Sequence, residues 1–77
     1  MVKIKKITVT DLIAKYEYFP EQSDKSGIVT LNRVTNERVF NKLALGYGNN
    51  YAAHALRRIE EFQKQGVFLE EDIVIWY

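Results

Sequence analysis

His54 is the single histidine of the chain and the one side chain whose ordinary titration range lies near neutrality, so acid–base chemistry at pH 7 would begin there. A base needs a nucleophile to activate and a partner to orient it. The chain has no cysteine, and its two serines, Ser23 and Ser26, fall in a polar turn segment, so His54 completes no nucleophilic constellation. It lies beside the apolar stripe of a helix, which reads as packing at the margin of a core, and no enzyme is expected.

The loop Gly46-Tyr47-Gly48-Asn49-Asn50 runs into a helix start, where free amides favour anions. A dinucleotide fingerprint needs glycine where this chain has Tyr51, and no Gly-Lys-Ser/Thr follows, so the loop reads as a turn and cap. Glu70, Glu71 and Asp72 offer three consecutive carboxylates without the spacing of a calcium loop, and they read as a solvated segment. With one histidine and no cysteine, no metal or cofactor site is expected.

Two surfaces remain as candidates for binding. The tail Ile73-Val74-Ile75-Trp76-Tyr77 is apolar at both phases of a strand, so burial of one face does not account for it. A domain with one helix covers one face, and the expectation is that Val74, Trp76 and Tyr77 anchor a contact with a second copy or another protein. The alternative is a nucleic-acid-associated or regulatory protein using Lys5, Lys6, Lys15, Arg33, Arg38 and Lys42 on its strands, with Tyr16, Tyr18 and Phe19 close by. The alternation places Tyr16 and Tyr18 with Leu12 under the helix, and a pI near 8.0 is modest for that role.

These residues must be positioned by a chain of 77 residues, short enough for one domain over 1–77. The scaling of folded surface with mass gives roughly 4,900 Å², or about 63% of the unfolded surface buried. Such a core leaves a thin stability margin, and without cysteines only oligomerisation would supplement it. The composition, 47% hydrophobic and 27% charged, is that of a folded protein. Residues 1–42 carry eight Lys/Arg and five Asp/Glu (+3) and residues 43–77 three and five (−2), so neither half is a nucleic-acid tail. No apolar run is long enough for a signal peptide or a membrane span, and a cytoplasmic location is expected.

Residues 2–10 are rich in β-branched side chains, with a phase slip near Lys5 and Lys6 that suggests a bulge. Residues 12–19 alternate, residues 21–27 are a polar turn closed by glycine, and residues 28–34 and 38–43 form two more strands about a tight turn at Thr35-Asn36. The period then changes. Ala52, Ala55, Leu56, Ile59 and Phe62 recur at helical spacing, Asn49 or Asn50 can cap the start, and Gly66 suits a left-handed end. On the wet side of that helix, Arg57 with Glu61 and Glu60 with Lys64 are spaced four apart as ion pairs.

The expected fold is α+β: an antiparallel β-meander, one amphipathic helix over about 50–65, and a strand at 73–77, in the order β-β-β-β-α-β, as a two-layer α/β sandwich. Three strands, a helix and a strand also resemble the partial RNase-H-like sheet of small antitoxin-type proteins. That likeness is one of topology and implies no function by itself.

Overall fold

The computed structural model describes residues 1–76. Five strands and a helix follow in chain order: β1 (Val2–Val9), β2 (Ile13–Pro20), β3 (Gly27–Asn32), β4 (Arg38–Lys42), α1 (Asn50–Gln65) and β5 (Glu71–Val74). All strand pairs are antiparallel, in the order β4-β3-β2-β1-β5, and α1 packs across one face. This is the expected α+β arrangement. The accessible surface, 4801 Å², agrees with what a chain of this mass should leave exposed.

Alternation sorts the sheet residues between the two faces. Val2, Ile4, Ala14, Tyr16, Tyr18, Val29 and Leu31 point under the helix and meet Ala52, Ala55, Leu56, Ile59 and Phe62, the stripe that made α1 legible. Gly66 closes α1 in the left-handed conformation, its amide donating to the carbonyls of Phe62 and Gln63. Asn49 occupies the start but its side chain makes no capping hydrogen bond.

Two tyrosines of β2 fasten both connections of the helix to the sheet. The Ala44 amide, in the loop from β4, donates to the Tyr18 hydroxyl at 2.9 Å, and the Tyr16 hydroxyl donates to the Leu69 carbonyl at 2.6 Å in the loop to β5. Burial, with the nearby carboxylates of Glu70 and then Asp72, pushes the Tyr16 phenol up to about 12. Gly27 lies opposite Tyr18, where a Cβ would sit 2.3 Å from the ring and 2.5 Å from the Lys42 carbonyl oxygen.

Several local expectations are corrected. The slip in β1 is a bulge at Ile7, between the pairs Lys6↔Tyr16 and Thr8↔Lys15, and it returns Val9 to the helix side. Leu12 is exposed because it lies in the reversal between β1 and β2, where its amide and that of Ile13 donate to Thr10 Oγ1. Glu60 turns from Lys64 to Arg38, with contacts of 2.9 and 2.7 Å, and Glu61 pairs with Arg58. The final strand begins at Glu71 instead of Ile73, since Lys5 and Lys3 of β1 pair with Glu71 and Ile73.

A candidate interaction surface

The register of β5 against β1 decides which tail residues are available. Val2 pairs with Val74 and Ile4 with Asp72, so these even-numbered positions lie on the helix side. Val74 is 7% exposed and belongs to the core. Trp76, just beyond the strand, stacks on His54 with centroids 3.8 Å apart and planes 10° from parallel, and meets Tyr51 edge-on at 5.3 Å. The expectation that Val74 and Trp76 need a cover from outside the chain is therefore corrected: α1 provides it. Tyr77 lies outside the described residues.

His54 is absorbed into the same cluster, as the margin of a core. Tyr47 meets Tyr51 edge-on at 5.5 Å, so an aromatic row runs along the start of α1. The Tyr51 hydroxyl donates to Glu21 Oε2 at 2.9 Å, beside the Met1 amino group at 2.8 Å. Hydrogen bonds from that amino group, then from Tyr51, hold the Glu21 carboxyl below the usual carboxylate range.

Among the described residues no helix lies over the opposite face of the sheet. Cross-strand pairing sets Phe19, Lys3 and Ile73 in one row and Glu17, Lys5 and Glu71 in the next. Ile73 is 49% exposed, and it shares with Phe19, Lys3 and Lys5 a hollow of about 530 Å³. Lys3 and Lys5 approach Glu71 at 3.5 and 4.0 Å, and Ser26 donates to Glu17 at 2.7 Å. Alternation cannot reveal this face for β5, because both phases of the tail are apolar. Lysines at positions 3 and 5 mark the wet side of β1, and the register carries that mark to Ile73.

The six cations of the alternative reading are divided between the faces. Lys5 and Lys15 share the uncovered face, as their pairing with Glu17 and Thr30 requires. Lys42 ends the edge strand β4. Lys6, Arg33 and Arg38 are on the helix side, and each is engaged. Lys6 pairs with Glu70 at 3.0 Å, and Arg33 donates to Gln63 and the Thr10 carbonyl while lying 4.7 Å over the Phe68 ring. Arg38 holds both oxygens of Glu60. Of the nearby aromatics, Tyr16 and Tyr18 are buried.

The acidic triplet is likewise drawn apart. Glu70 pairs with Lys6, Glu71 with Lys3 and Lys5, and Asp72 with Arg58, so three carboxylates meet three different cation sets. The Gly46 to Asn50 loop is a turn, with Gly46 at φ 85° and Gly48 at φ 61°. Among the described residues no helix is long and apolar enough to cross a membrane. The chain matches no protein-family model, and no curated protein or solved structure matches it significantly.

Proposed function

We propose that the protein is a non-enzymatic interaction module that self-associates through the uncovered face of its sheet. The observation that carries this reading is Ile73, half-exposed beside Phe19 on a face that, among the described residues, no other element packs against. Lys3, Lys5 and Lys15 share that face with Glu17 and Glu71, and mixed charge suits a two-fold contact in which each copy offers the other both signs. Burying the exposed half of Ile73 would contribute about 0.7–1.5 kcal/mol per copy, less the cost of association.

Sedimentation velocity over a wide concentration range tests the reading. A dimer that forms with rising concentration and is lost in Ile73→Thr with Phe19→Ser is the expected result. A wild type that stays monomeric at millimolar concentration overturns it. Salt-sensitive oligonucleotide binding that falls in Lys5→Gln with Lys15→Gln would replace it with the nucleic-acid alternative, since phosphate contacts release counterions.

A further inference from the structure

The uncovered face carries its charge in a pattern set by the strand register. Pairing places Glu71 of β5, Lys5 of β1, Glu17 of β2, Ile28 of β3 and Lys42 of β4 side by side across the sheet. A cation on β1 thus stands between carboxylates on β5 and β2. Lys3 and Lys5 share one oxygen of Glu71, at 3.5 and 4.0 Å. Glu17 accepts a hydrogen bond from the Ser26 hydroxyl and, among the described residues, makes no ion pair. Lys5 and Glu17 are therefore the least satisfied charges of this row.

Two copies stacked through this face with aligned strands are related by a dyad parallel to the strands, and each row of one copy then meets the same row of the other. Three positions of that dyad overlap at least four of the five strands. Over β2, it sets Glu17 against Glu17 and Lys15 against Lys15. Between β2 and β3, it brings Lys5 over Lys42. Between β1 and β2, Lys5 of each copy meets Glu17 of the other, Lys15 meets Thr8, and no like charges face each other. In this last position β5, with Ile73, comes over the second copy's β3, with Ile28, and β4 stays outside the overlap.

We propose that two copies form a two-sheet sandwich offset by one strand, with Lys5 of each facing Glu17 of the other across a dyad between β1 and β2. The proposal rests on the self-association reading and adds its register and the residues that specify it. Packed sheets stand about 10 Å apart, a gap that a lysine and a glutamate extended toward each other span. Phe19 lies over the aliphatic stem of the second copy's Lys3. Desolvation offsets most of the attraction in such a pair, so it selects the register more than it tightens the contact.

The test mixes charge-reversed chains in sedimentation velocity, with one chain of each mixture fluorescently labelled. Lys5→Glu and Glu17→Lys should each associate at least tenfold more weakly than the wild type, because each sets two pairs of like charges across the dyad. An equimolar mixture of the two should recover wild-type association, since every facing pair is then of opposite sign. The chain carrying both substitutions should associate with itself as the wild type does and fail to join wild-type chains. Recovery in that chain without recovery in the mixture places the pair within one copy and overturns the proposal. Wild-type association that neither substitution weakens overturns this register and leaves the self-association reading standing, whereas a wild type that stays monomeric at millimolar concentration overturns both. If circular dichroism shows either reversed chain to be unfolded, the mixture of Lys5→Gln with Glu17→Gln takes its place, and a mixture no stronger than its components overturns the proposal.

Discussion

β5 and β4 both end the sheet and both are short, four and five residues against the eight of β1 and of β2. At β5 the side chains are engaged on both faces: Glu71 meets Lys3 and Lys5, Asp72 meets Arg58 of the helix, and Val74 reaches the core. At β4 Arg38 is tied to Glu60 and Asn41 accepts from the Thr30 hydroxyl, but Val39 and Phe40 remain open. Two strands of similar length thus differ in whether the neighbouring layers supply partners for their side chains. Charge alone does not blunt an edge; what distinguishes β5 is charge that is already engaged.

The largest expected effect breaks the β4 edge from inside. Gly27→Ala places a methyl against the Tyr18 ring and the Lys42 carbonyl, so either the ring leaves or β4 detaches. A loss of about 3 kcal/mol or more is expected in denaturant unfolding, at the upper end for overpacking. A loss under about 1 kcal/mol would mean that the ring relaxes without disturbing the strand.

Next comes a contrast between the two tyrosines. Tyr18→Phe leaves the amide of buried Ala44, next to the β4 connection, without its partner and should cost about 1–3 kcal/mol. Tyr16→Phe frees the carbonyl of exposed Leu69, which water can reach, and should cost about 1 kcal/mol or less. Equal losses would remove the distinction between the two connections.

Tyr16 adds a pH signature on the β5 side. Its folded value of about 12 lies above the ordinary phenol value of 10.0, so its contribution is fully present below pH 10 and is lost as pH rises through the folded value. Stability of the wild type should fall more steeply than that of Tyr16→Phe between those limits, as measured by urea midpoints. Parallel curves would show that the phenol ionises without penalty.

The smallest effect concerns the one ion pair that β4 makes among the described residues. Hydrogen bonds from Arg38 hold the Glu60 carboxyl below its ordinary value, so its contribution is present above that value and is lost as pH falls through the folded one. Both side chains are partly exposed, and Arg38→Gln should cost only a few tenths of a kcal/mol at neutral pH, a gap that closes in acid. A gap that persists in acid would mean that Arg38 contributes by packing its stem.

The helix, the meander and the left-handed Gly66 were legible because each rests on residues close in sequence: a stripe at helical spacing, alternation in β2, a glycine after the last turn. Even the β1 bulge left a trace in the phase of Ile7 and Val9. What remained hidden depends on partners distant in sequence. Nothing local tells Glu60 to choose Arg38 over Lys64, or assigns Val74 and Ile73 to opposite faces when both are apolar. On β5 the uncovered face carries Ile73 and not Val74, a difference of one position that a strand's period of two turns into the opposite side of a sheet.

The place of β1 between β2 and β5 carries a kinetic consequence. β1 to β4 join through successive reversals and can assemble from near neighbours, whereas Val2 and Val74 come from nearly opposite ends of the sequence and meet only after the intervening chain is ordered. Loop closure of that span costs entropy before its contacts return any energy, so β5 should dock after the folding barrier. Substitutions that weaken its hold, at Arg58 or Trp76, should then hasten unfolding while leaving the refolding rate nearly unchanged. Release of β5 would be the first sub-global opening of the molecule, baring the core side of β1 before the meander itself gives way.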